Sequence, residues 1–235
     1  MPLTNHSLKP FAPGIIITLL LVAVTNHSFC QKKDSAYNDI NAKYYITLSP
    51  VALIDVLEHP SIRISGDAKI YKNITLSVEN IFYPTLGDWF IKKDVRGYAV
   101  KPCVKFYLNK NKIINGPYIG LEYQYKQQYY NLTDSIEING IAPFHKQYGM
   151  TRYFNCINVK YGELTNINGK FLSEFFIGIG IRFFHSFTEL SKEEHDNIIY
   201  KEELHNAEMA QSAARTIGNR IYPNITIGYK IGFSL

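Results

Sequence analysis

A serine, a histidine and a carboxylate close together in sequence are the residue types of a nucleophilic hydrolase. His185, Ser186 and Glu189 form such a group. They fall where a strand that alternates from Phe175 to Phe183 meets an outer link. Neighbours on a strand point to opposite faces, so His185 and Ser186 cannot pair directly. They read as an interfacial histidine and a loop-end serine, with a lipid hydrolase as the rival. Glu194, His195, Glu202 and His205 are the second group. His195 and Glu202 can share a helix face, but His205 is turned from His195 by roughly 80°. A solvated helix face is the expectation there. No CxxC and no His/Cys cluster occurs, so no metal and no cofactor is expected. The sequons at Asn73, Asn131 and Asn224 read as chance in an Asn-rich chain. Gly66, Gly120, Gly178, Gly180, Gly228 and Gly232 read as strand bends and close packing, without a phosphate-loop context.

A larger constellation is spread over the chain. Arg63, Lys69, Lys101, Lys105, Lys126, Lys160, Arg182 and Lys230 share polar strand positions with Asp67, Glu79, Glu122 and Glu174. An eight-stranded barrel has an interior just filled by side chains. The set therefore reads as a network of ion pairs and hydrogen bonds that plugs a lumen. Eight basic residues face four acidic ones, so a narrow anion-preferring pore is the rival, separable by conductance.

These residues are positioned by segments of period two. Ile225, Ile227, Tyr229, Ile231, Phe233 and Leu235 alternate with Thr226, Gly228, Lys230, Gly232 and Ser234. Ile177, Ile179 and Ile181 alternate with Gly178, Gly180 and Arg182, and Ile119, Leu121 and Tyr123 with Gly120, Glu122 and Gln124. Similar alternation begins at Tyr44, Ile62, Ile74, Val100 and Ile157, making eight candidate strands. Cys103 and Cys156 fall mid-strand, two strands apart, and read as free buried thiols rather than a disulfide.

Links of polar composition separate the strands. Those at Tyr71 to Asn73, Asn109 to Gly116 and Thr165 to Gly169 are short. Those at Tyr83 to Arg96, Tyr130 to Gln147 and Thr188 to Tyr222 are long. Ser191 and Glu194 fit a capping box, so the last of these is expected to be partly helical. Apart from Ser49 to Pro60, long and short links alternate, as in an outer-membrane barrel with both termini in the periplasm.

Composition narrows the class. The chain has 235 residues, 46% hydrophobic and 19% charged, which excludes wholesale disorder. Residues 1–30 read as a signal peptide: Lys9, then the apolar run Ile15 to Val24, too short to span a bilayer as a helix. Cleavage before Gln31 is expected; a lipidated Cys30 is the rival. Losing Lys9 leaves a charge of 24 − 20 = +4, too mild and scattered for nucleic acid. Residues 31–43 read as a flexible periplasmic lead and 44–235 as the barrel domain.

Alternation alone does not say which face is outside, since a soluble barrel alternates too. Export, link alternation and an aromatic-bearing final strand favour lipid outside. The outward set is then Ile119, Leu121, Tyr123, Ile177, Ile179, Ile181, Ile227, Tyr229, Ile231 and Phe233, with no charge in it. The segments TLSPVALIDV, RGYAVKPCVKFYLNK with NGPYIGLEYQY, and KYGELTNINGKFLSEFFIGIGIRF resemble the small, functionally uncharacterised outer-membrane β-barrel proteins of Gram-negative bacteria. Their architecture is similar to OmpA-like eight-stranded barrels, and the resemblance spans about residues 44–235. It implies no activity and no cofactor.

The expectation is an all-β, eight-stranded, antiparallel up-and-down transmembrane barrel with a partly helical link between strands 7 and 8. It is non-enzymatic and acts as an envelope-structural protein or through its outer links. Its expected partners are outer-membrane lipid, the barrel-assembly machinery and an extracellular ligand. The alternatives are a lipid-modifying barrel enzyme and a soluble periplasmic barrel that binds an apolar ligand.

Overall fold

The computed structural model describes residues 43–54, 60–85, 91–109, 115–138, 142–167, 170–199 and 214–235. The expected signal peptide, nearly all of the lead, Glu202 and His205 lie outside the described residues. The elements run in chain order from β1 (Tyr44–Leu48) and a 3-10 turn (Pro50–Ile54) to β2 (Ile62–Tyr71), β3 (Ile74–Tyr83) and β4 (Lys93–Tyr107). They continue with β5 (Gly116–Ile136), β6 (Phe144–Asn166), β7 (Phe171–Thr188), α1 (Lys192–Asp196), β8 (Ile198–Ile199) and β9 (Gly218–Ser234). No helix among the described residues is long and apolar enough to cross a membrane, which says nothing of strands.

Each strand of the ring pairs antiparallel with its neighbour in sequence. The last, β9, returns to pair with β1, and β4 also pairs with β5. Eight strands therefore close on themselves, and β8 is a two-residue addition at the upper end of β5. The register fixes the slant. Stepping straight across from Gly232 leads through Thr47, Ser65, Glu79 and Lys101, then along β5, Cys156 and Arg182, and returns to β9 at Tyr222. The displacement is 232 − 222 = 10 residues. For eight strands this sets a tilt of about 40° to the ring axis.

Local chemistry explains the details. Lys72 and Asn73 form the two-residue turn between β2 and β3. Pro102 lacks the N–H a ladder needs, and the β4–β5 pairing skips from Val100 to Cys103. Gly162 lies beneath the Tyr118 ring and Gly228 beneath Phe176, so close that a Cβ at either would collide with the aromatic carbons.

The structure corrects the outer links. Tyr130 to Gln147 is mostly hairpin, with strand to Ile136 and again from Phe144. The other two long links are shorter than expected, since β4 starts at Lys93 and β9 at Gly218. The capping box exists, but α1 is only five residues long. The hairpin was hidden because its outward residues, Asn131, Thr133 and Ser135, are turn-forming types. Strand lengths are consequently uneven: β1 has 5 residues, β5 has 21 and β6 has 23.

Candidate functional site: the filled interior and its upper cover

The inward face of the lower ring carries most of the charged constellation. Asp67, Glu79, Lys101, Lys105, Glu122, Lys126, Lys160, Glu174 and Lys230 are buried; Arg63, Lys69 and Arg182 are half-buried. Lys105 is the hub, with Nζ at 2.9 Å from Asp67 and 2.8 Å from Glu174. Tyr118 donates its hydroxyl to the same Glu174. Lys230 pairs with Glu79 and donates to Ser65 Oγ at 2.8 Å, while Lys101 approaches Glu79 at 3.9 Å. Lys160 pairs with Glu122, which also accepts from Asn158 Nδ2 at 3.2 Å. Four lysines thus meet four carboxylates in one layer. A buried charge is costly alone and tolerable when paired and hydrogen-bonded.

Below this layer lies an aromatic floor of Tyr45, Tyr107, Tyr118, Leu164, Leu172 and Phe176. The Tyr45 and Tyr107 hydroxyls meet at 3.0 Å. Above the layer the chemistry changes. Three cations surround the Phe154 ring: Lys126 Nζ at 5.1 Å, and the guanidinium carbons of Arg182 at 5.5 Å and Arg152 at 6.0 Å from its centroid. Arg152 donates through Nε to Ser186 Oγ at 2.7 Å and through Nη2 to the carbonyls of Ala214 and Thr216. Sequence reasoning missed Arg152, because it fell before the segment recognised as a strand. Its parity with Cys156 and Lys160 was the available signal.

The outward face is apolar over the same span. Ile119, Leu121, Tyr123, Ile177, Ile179, Ile181, Ile227, Ile231 and Phe233 are all exposed. Tyr229 is half-buried, its hydroxyl accepting from Ser173 Oγ at 3.1 Å. Along β5 and β6 the two faces then exchange character. Inward residues pass from Glu122, Gln124, Lys126 and Gln128 to Tyr130, Leu132 and Ile136. Outward residues pass from Ile119, Leu121 and Tyr123 to Asn131, Thr133 and Ser135. On β6, outward Ile157, Val159 and Tyr161 give way to Gln147 and Thr151, while inward Lys160 and Asn158 give way to Met150 and Tyr148.

The projecting hairpin closes over an apolar cover. Val95, Tyr130, Leu132, Ile136, Tyr148, Met150, Leu190, Ile198 and Ala214 form one buried cluster. Asp134 ties it together, accepting from Tyr148 at 2.6 Å and from Arg215 Nε at 2.8 Å. Burial pushes the Tyr148 hydroxyl well above its ordinary pKa, and the adjacent Asp134 carboxylate adds to this. At the rim Lys146 donates to Glu194, and this hydrogen bond holds the Glu194 carboxyl below its usual range, assisted by the Ser191 amide.

The His185, Ser186 and Glu189 group is not assembled. His185 points outward, against Phe187 and Asn219, while Ser186 points inward to Arg152. Glu189 accepts from the Gly149 amide at 2.8 Å, away from both. His195 contacts the Arg215 carbonyl. Among the described residues no three His, Cys, Asp or Glu side chains converge as a metal site. Cys103 and Cys156 are buried and not joined in a disulfide.

The geometry defines a closed antiparallel ring with a charge-paired interior and an apolar exterior. The chain belongs to the family described as "Protein of unknown function (DUF3575)", which matches residues 17–217. A solved structure, CarO of Acinetobacter baumannii, is similar at 12% identity and a TM-score of 0.38, covering 84% of this chain and 99% of that one. That likeness is too distant to carry an argument. No curated protein matches the chain.

Proposed function

We propose that this chain is a non-enzymatic outer-membrane β-barrel, exported by a signal peptide, with a plugged lumen and a binding surface on its projecting hairpin and cover. The observation that carries the reading is the exchange of polarity along β5 and β6. Below it, apolar residues face out and paired charges face in, which suits a ring whose outer solvent is hydrocarbon. Above it, polar residues face out and apolar residues face in, which suits water. On β5 the outward apolar and aromatic stretch, broken by Gln127, runs from Ile119 to Tyr129, 129 − 119 = 10 residue steps. At the tilt of the ring that is about 25 Å of height, the depth of the apolar band of such barrels.

The lumen is read as structural because Lys105, Lys160 and Lys230 are buried and paired with carboxylates across its interior. Its partners in this reading are outer-membrane lipid, the assembly machinery that inserts barrels and a ligand outside the cell. The experiment is gel mobility of boiled and unboiled envelope protein beside the soluble periplasmic fraction. A heat-dependent shift confined to the outer membrane supports the reading. Recovery without detergent and without a shift defeats it, and the exposed isoleucines then need another cover.

A further inference from the structure

We propose that two copies of this chain pair side by side in the membrane through the outward face of β2, β3 and β4. The two-fold axis runs parallel to the ring axis, and the Asn80 carboxamides of the two copies hydrogen-bond to each other across it. The proposal rests on the membrane reading above.

Depth is the first observation. Asn80 lies on β3 between the outward residues Val78 and Phe82, faces outward itself and is exposed. Its neighbours across the sheet are Ile64 on β2 and Val100 on β4. At the ring's tilt it stands about 9 Å above Ile119 and about 16 Å below Tyr129, the ends of the outward apolar stretch on β5. It is therefore well inside the apolar band, level with Val159, Ile179 and Ile227 on the other strands. Among the described residues the other outward side chains at that level are aliphatic, aromatic or proline. The Asn80 amide has no hydrogen-bond partner among the described residues. Hydrocarbon offers none either. A carboxamide carries two N–H donors and an oxygen acceptor, and each is costly when left unpaired in an apolar medium.

What stands above and below Asn80 is the second observation. One strand toward β2 and two residues down lies Gly66; one strand toward β4 and two residues up lies Tyr98. At a tilt of about 40° the three fall on one line parallel to the ring axis, about 8 Å apart. Gly66 faces outward, and a Cβ built on it would meet nothing within 4 Å. The outer surface is shallow at that point of the line, which lets a second backbone come near. Tyr98 faces outward and is exposed at the upper end, at the level where an aromatic girdle meets the head groups.

Self-complementarity selects a second copy as the occupant. A carboxamide both donates and accepts, so an identical amide at an identical depth satisfies it in a reciprocal pair. A two-fold axis along the line of Gly66, Asn80 and Tyr98 sets each of the three against its own counterpart and keeps both rings the same way up. A lipid chain on the same face has no donor or acceptor and leaves the amide unpaired.

The test is disulfide capture of the full-length protein in outer-membrane vesicles, with Gly66→Cys as the reporter. Cys103 and Cys156 are buried and do not compete. Oxidation with copper phenanthroline should give a band of twice the chain's mass for Gly66→Cys. Val159→Cys, at the same depth on β6, should give none. Förster transfer between donor- and acceptor-labelled chains in phosphatidylcholine vesicles then measures the dissociation constant. Asn80→Leu should raise it about tenfold, the worth of a reciprocal pair of hydrogen bonds at lipid depth, and Asn80→Gln much less. Gly66→Leu should raise it as well, by holding the two backbones apart. The heat shift should persist in every variant. Absence of the doubled band, equal capture at both reporters, or a dissociation constant indifferent to both Asn80→Leu and Gly66→Leu overturns the proposal. Capture into an adduct of another mass overturns it too, by assigning the face to a different protein. If the heat shift persists in these cases, the membrane reading stands alone; if the shift is absent as well, that reading has failed first.

Discussion

The lower ring and its upper cover are built from the same two long strands with opposite polarity. In the ring, Glu122 and Lys160 face in and Ile119 and Val159 face out. In the cover, Leu132 and Met150 face in, while Thr133 and Thr151 face away from it. The backbone does not change; in the membrane reading, the solvent against the outer face does. A cover with an apolar core is stabilised as a water-soluble protein is, by removing apolar surface from water. In the membrane reading the ring has no such drive, so its interior depends on hydrogen bonds and paired charges.

The sharpest way to break this comparison is at the hub of the ring. Lys105→Met leaves Asp67 and Glu174 buried without their lysine, and loss of one partner of a buried pair costs about 3–5 kcal/mol. The denaturant midpoint of the folded, heat-shifted form should fall accordingly. An unchanged midpoint would mean the interior is wetter than its burial implies.

The matching cut in the cover is Leu132→Ala, expected to cost about 2–5 kcal/mol in a well-packed apolar cluster. Hydrogen exchange should rise at α1 and β8 while the heat shift survives. If ring and cover unfold together, the two regions are one cooperative unit and the contrast loses its meaning.

Next comes the outer solvent. Ile179 is 67% exposed midway along the outward face of β7. Ile179→Arg should cost about 2–4 kcal/mol in a lipid bilayer, whereas Thr133→Arg on the hairpin should cost close to nothing. Equal effects on folding into vesicles would remove the boundary drawn along β5.

The smallest effect is a pH dependence confined to the cover. The Glu194 carboxyl is held below its ordinary pKa of 4.5 when folded. Its stabilising contribution is therefore present above the unfolded value and is lost as pH falls through the lower, folded one. Exchange at the Ser191 to Asn197 amides should rise on acidification through that acid range, and Lys146→Met should flatten the response.

The ring was largely legible in the sequence because its alternation is strict. The run Ile225 to Leu235 admits no helical reading, and burial puts the charged set Asp67, Glu79 and Lys105 on the face opposite the isoleucines. The upper hairpin was not legible. Above Tyr129 the polar partner of each alternation is Asn, Thr or Ser, the same residues that build turns, so strand and loop look alike. Arg152 was lost with it. The uneven wall was also hidden, since the termination of β1 at Leu48 depends on the Pro50 turn folding onto β9, a tertiary contact without a local signature.

The pairing of β1 with β9 has a kinetic consequence. It spans four residue pairs, Tyr45 with Ser234 through Leu48 with Ile231. These are also the most distant in sequence of all the ring's pairings, so their loop-closure entropy is the largest and rewards nothing until the other strands are in place. Assembly of the ring should therefore pass through a curled open sheet, complete except for this short zip. The lifetime of that sheet, rather than the strength of the charge network inside it, would then set how fast the protein folds.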